Sequence, residues 1–118
     1  MSDEQEIMKV LDLYLESGRQ AKSEIMKPAF HESATMFWSQ DGELIGGPIQ
    51  ELFDRVDARG PSENLKYEIH SLDISHTTAT VRVELFDWGG NRFSDQFAMI
   101  KTGDGWKIMH KVFYRHET

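Results

Sequence analysis

The sequence predicts an α+β fold in which N-terminal helices pack on a strongly curved, mixed or antiparallel sheet. Three observations carry this. Apolar residues recur at helical spacing in the first half. Four long runs in the second half, rich in β-branched and aromatic residues, read as strands. The turns between those runs hold only three or four residues, which forces neighbouring strands to run antiparallel. Helices first and a meander afterwards define the class.

Taken in order, Ser2 or Asp3 caps a first helix, and Glu4 and Glu6 suit its positive end. Ile7, Val10, Leu11 and Tyr14 form its apolar stripe, with Gly18 as the expected stop. Ser23 opens a second, short helix through Ile25, Met26 and Phe30, limited by Pro28. Ala34 to Trp38 is the first strand, followed by a turn at Gln40-Asp41-Gly42-Glu43. Gly47-Pro48 is expected to open a third helix with the stripe Ile49, Leu52, Phe53 and Val56, ended by Gly60-Pro61. The strands of the meander are Leu65 to Ile74, Ala79 to Trp88, Arg92 to Lys101 and Trp106 to Tyr114.

At 118 residues the chain is expected to be one domain, spanning 1–118. It holds no cysteine, which excludes thiol catalysis, thiolate metal sites and disulfides. Acidic residues outnumber basic ones, 20 to 13, for a formal charge of -7. The basic residues are scattered, so neither nucleic acid nor an anionic membrane is an expected partner. No apolar run approaches the ~20 residues needed to span a bilayer. The acidic N-terminus is unlike a targeting peptide. A cytoplasmic location is the expectation. His31, His70, His76 and His116 show no metal-ligand spacing, so no metal or cofactor is expected.

Two segments carry a family resemblance. Phe30-His31-Glu32-Ser33-Ala34-Thr35-Met36 resembles the "aromatic, x, acid, x, Ala-Thr" entry to the first strand of the nuclear-transport-factor-2-like superfamily. Asp95-Gln96-Phe97, followed by Gly103-Asp104-Gly105-Trp106-Lys107-Ile108, resembles its closing hairpin. The wording is most similar to the "putative lumazine-binding" and SnoaL-like branches. The resemblance implies a cone with one ligand pocket at its open end and a homodimer through the outer sheet face.

The closing hairpin also permits a register expectation. Pairing Lys101 with Trp106 sets Phe97 opposite His110 and Asp95 opposite Val112, with all of these side chains on one face. Asp95, His110 and Tyr114 then converge beneath Tyr14 of the first helix. A carboxyl among aromatics resists ionisation, so its pKa is expected to rise unless a cation compensates. A two-residue Gly89-Gly90 loop would set Glu84 against Asp95, and a three-residue loop Leu85. On the outer face, Ala98, Ile100, Met109 and Phe113 are expected to alternate with Lys107, Lys111 and Arg115.

More distantly the chain resembles ketosteroid isomerase, where a tyrosine and a protonated aspartate stabilise an oxyanion. Tyr14 and Asp95 match those two groups, but the position of the general base holds Trp38. The expected function is binding of a flat, mostly apolar small molecule, with isomerase, dehydratase or cyclase chemistry as its catalytic form. Asp95 and His110 are the candidate proton-handling residues; Tyr14, Trp38, Phe97 and Tyr114 are the candidate substrate contacts. The bland alternatives are packing for Tyr14, a structural hydrogen bond for Asp95 and a satisfied core imidazole for His110. The competing function is a non-catalytic carrier or dimeric interaction module.

Overall fold

The structure is a computed structural model that describes residues 1–117. Helix α1 (Asp3–Gln20) starts at a reciprocal cap: Ser2 Oγ accepts from the Gln5 amide at 3.2 Å, and Gln5 Oε1 accepts from the Ser2 amide at 3.0 Å. Ile7, Leu11, Tyr14 and Leu15 are its buried stripe. The helix ends at Ala21, in left-handed conformation (φ 57°), one turn beyond the expected stop. Gly18 is helical and serves another purpose. A Cβ there would meet Trp88 Cζ2 at 2.6 Å, so glycine lets the helix lie against the indole.

Helix α2 (Ser23–Met26) runs into a 3-10 turn (Lys27–Ala29) at Pro28. Ser23 is not its cap. Its amide and hydroxyl donate to the two carboxylate oxygens of Asp57, each at 2.7 Å, which ties α2 to helix α3 (Gln50–Arg59). Strand β1 (Phe30–Gln40) turns into β2 (Glu43–Pro48), a strand where a turn and helix start were expected. Gly46 (φ 135°) brings the backbone so close to Met36 that a Cβ would collide with its carbonyl oxygen. Such glycine pairs and a proline are tolerated on an edge strand, and β2 is an edge. Strands β3 (Lys66–Ser75), β4 (Thr78–Trp88), β5 (Asn91–Thr102) and β6 (Gly105–His116) complete a six-stranded sheet in the order β2-β1-β6-β5-β4-β3. The β1–β6 pair is parallel and the rest antiparallel, so the sheet is mixed.

Two bulges fix which side chains face the helices. On β6, Ile108 opposes Met99 but His110 opposes Ala98, leaving Met109 as an extra residue. From there on Lys111 faces Phe97 and Phe113 faces Asp95, one residue off the expected register. A slip of one residue exchanges the faces of a strand. On β4, the extra residue between Leu85 and Trp88 coincides with Asp87 in left-handed conformation (φ 63°). Asp95 therefore opposes Val83, neither Glu84 nor Leu85.

The core lies between α1 and the concave face. Trp106 is buried near the N-terminus of α1, where its Nε1 and Lys101 Nζ both donate to Asp3 Oδ1, at 3.1 and 2.8 Å. Among the described residues, no helix is long and apolar enough to cross a membrane.

Candidate functional site

A cavity of about 340 Å³ opens between β1, β6 and helix α3. Its deep end is made by Tyr14, Met36 and Lys111, all nearly sealed from solvent. Trp38, Phe93 and Phe113 wall it, and the exposed Arg55, Arg59, Arg115, Asp41 and Glu117 line its mouth.

The turns of α1 that bury Ile7 and Leu11 also aim Tyr14 at the sheet. Its ring packs edge-on against Phe97 at 5.2 Å and tilts over Trp88 at 4.9 Å. Its hydroxyl donates to Asp95 Oδ2 at 2.6 Å, a short bond between groups 81 residues apart. Burial, the nearby Asp95 charge and the bond itself all push the phenol well above its ordinary pKa.

Asp95 is fully buried, and among the described residues no donor reaches its Oδ1. Burial raises its pKa; the Lys111 charge and the Tyr14 bond oppose that rise, the Glu84 charge adds to it, and the net direction is up. Neither Asp95 nor Phe97 lines the cavity; both lie behind Tyr14.

His110 is a correction. The Met109 bulge turns it outward, where it is exposed and bonds Thr35 Oγ1 at 2.7 Å. Tyr114 is turned by the same slip: it is 58% exposed, stacks edge-on against His116 at 4.9 Å and meets the cavity only at its rim. Phe113, Lys111 and Arg115, expected outside, line the cavity instead. Trp38 does line it, half-buried, with Phe113 at 4.9 Å and the Arg55 guanidinium 4.9 Å over its ring. Tyr14 and Trp38 are thus brought together as expected, while His110 is not.

Lys111 is the group that sequence reasoning missed. It is 5% exposed. Among the described residues its Nζ finds one hydrogen-bond acceptor, the Met36 thioether at 3.6 Å, and it lies over the rings of Phe113 (4.5 Å) and Tyr14 (5.5 Å). Burial lowers its pKa; Asp95 opposes the shift, Arg59 and Arg55 reinforce it, and the direction is down.

An α+β cone of this topology, with a part-polar cavity between sheet and helices, defines a nuclear-transport-factor-2-like protein. Within that superfamily, the family model described as "Putative lumazine-binding" matches residues 2–114, and the chain belongs to that family. An NTF2-like protein of unknown function from Shewanella baltica superposes with a TM-score of 0.93 at 40% identity, over 97% of this chain and 94% of that one. A second, from Methylobacillus flagellatus, gives 0.91 at 36% identity, over 98% and 93%. The aldolase FrzH of a Cladobotryum species is 28% identical over 104 residues, 87% of this chain and 83% of that relative.

Proposed function

We propose that this chain binds a small carbonyl compound in the cavity and moves protons at it, as an isomerase, a dehydratase or an aldol-type enzyme does. The observation that carries this is the 2.6 Å bond from Tyr14 to Asp95 at the closed end of an otherwise open cavity. With Asp95 protonated and donating to the phenol oxygen, the Tyr14 proton is free to bond a carbonyl oxygen and stabilise the negative charge that develops on it during enolisation. Asp95, which does not touch the cavity, acts through Tyr14 as a positioning residue. The volume suits a small ligand. Aromatic walls favour a flat apolar body, and three arginines at the mouth against two carboxylates favour an anionic distal group. The similarity to an aldolase supports carbonyl chemistry over passive storage.

The test is carbon–carbon cleavage of a fluorogenic aryl β-hydroxyketone that releases a naphthaldehyde. Turnover by the wild type that falls sharply in Tyr14→Phe is expected. Equal rates in both would remove Tyr14 from the chemistry.

The alternative, a non-catalytic carrier or interaction module, draws on the outer face, where Ile100, Val112 and Tyr114 are 41, 47 and 58% exposed. Such a surface suits a homodimer. Sedimentation at micromolar concentration tests it: a dimer that Val112→Arg dissociates supports the interface, and a monomeric wild type removes it.

A further inference from the structure

We propose that Lys111 is a nucleophile that condenses with an aldehyde or ketone bound in the cavity, forming an imine at its Nζ. The inference rests on the cavity being a ligand site and names the bond made there. Lysine is seldom buried without a carboxylate or carbonyl on its ammonium group. Lys111 is 5% exposed, makes no salt bridge among the described residues, and finds only a thioether, a weak acceptor. It nonetheless lines the cavity, with Tyr14 beside it. A structural lysine would sit against an oxygen; one kept free at the end of an accessible cleft is placed to react.

The charged and titratable groups around it lower its pKa on balance. Burial is the largest influence, and Arg59 and Arg55 of α3 act in the same direction. Asp95 of β5 acts against them, and Tyr14 of α1 contributes a neutral phenol whose own pKa is raised. Desolvation beside other cations is a known route to a nucleophilic lysine at neutral pH.

The step balances without a co-reactant. The Nζ lone pair forms the C–N bond as the carbonyl π pair moves to oxygen. That oxygen takes one proton originating on Nζ to give the carbinolamine, then leaves as water with the second, so the amine loses both hydrogens. Tyr14, held by Asp95 at 2.6 Å, is the group positioned to relay those protons. Once protonated, the imine draws electrons from the adjacent carbon and makes its C–H more acidic.

The experiment uses the intact protein and 1-phenylbutane-1,3-dione, which an unprotonated lysine converts to a conjugated enaminone with loss of one water. We expect a new near-ultraviolet band, a mass gain of one diketone less one water, and peptide mapping of the adduct to Lys111. Both signals are expected to vanish in Lys111→Met, whose side chain fits an apolar site. Binding of 8-anilinonaphthalene-1-sulfonate, retained in wild type and variant, reports the cavity separately. Dye binding without any adduct overturns the nucleophile and leaves the ligand site standing. An adduct that maps to surface lysines, or persists in Lys111→Met, overturns it too. Loss of both adduct and dye binding in the wild type removes the ligand site and this inference together.

Discussion

Two carboxylates on neighbouring strands are both closed off from solvent, one near the surface and one deep in the core, and are treated oppositely. Glu84 on β4 is 1% exposed and Asp95 on β5 is 0% exposed. Glu84 belongs to the outer face, where it accepts from Ser94 Oγ at 2.7 Å, Arg92 at 3.1 Å and Arg82 at 3.2 Å. Burial pushes its pKa up, but these donors outweigh burial and hold it below the ordinary value. Asp95, on the concave face, has one phenolic donor and a lysine that forms no ion pair with it, and its pKa goes up. Lack of exposure alone does not set a charge state; depth of burial and the number of donors together do. Glu84 is arranged as a permanent anion that clamps two arginines. Asp95 is left able to hold a proton next to the cavity.

The largest effect expected from this contrast is on stability. Asp95→Ala strips Tyr14 of its acceptor and removes the carboxylate whose charge acts on Lys111, and should cost about 1–3 kcal/mol in denaturant unfolding at neutral pH. A cost under ~1 kcal/mol would mean that water already serves both groups. Next is activity. Asp95→Asn should slow cleavage of the aryl β-hydroxyketone on the order of a hundredfold, within the range of acid–base effects, whereas Glu84→Gln should leave the rate unchanged. Parallel losses would erase the distinction between the two acids. Third, Glu84→Ala should cost only about 1–2 kcal/mol, because Arg82 and Arg92 are half-exposed and can turn to water.

The smallest effect is also the sharpest in sign. The folded pKa of Asp95 lies above its unfolded one, so its contribution to stability is full below the unfolded pKa and is lost as pH rises through the folded pKa. That of Glu84 lies below its unfolded one, so its contribution is present above the unfolded pKa and is lost as pH falls through the folded pKa. Melting temperatures between pH 3 and 7 should show the wild-type advantage over Asp95→Asn shrinking as pH rises. The advantage over Glu84→Gln should shrink as pH falls. Slopes of the same sign would show that the two carboxylates share one environment.

Much of the fold was legible because its signals are local. The stripe Ile7, Leu11, Tyr14 needs only helical periodicity, and the Thr102 to Gly105 turn needs only its glycines. Tyr14 and Asp95 could be paired in advance because both lie on strongly apolar faces. The β6 register could not. Both alternating sets of that strand contain apolar residues, Ile108 and Val112 in one, Met109 and Phe113 in the other, so period-two reasoning has no preferred answer. The decision rests on β5 and β1, which the local sequence does not display. Strand β2 was hidden for a related reason: Gly46-Gly47-Pro48 has the composition of a turn, and only its edge position makes it a strand. Lys111 was missed because lysine is ordinarily a surface residue. A strand that places lysine between two apolar neighbours was the available hint.

The extra residue at Met109 implies that the interior chemistry depends on one bulge as well as on composition. If Met109 were drawn into the ladder opposite Ala98, with the same β5–β6 turn, Lys111, Phe113 and Arg115 would go to the convex side and His110, Val112 and Tyr114 would come within. Every side chain would still be present, but an amine-lined cleft would be exchanged for one lined by an imidazole and a phenol. Comparisons across this family should therefore ask whether the β6 bulge is present before matching residue identities.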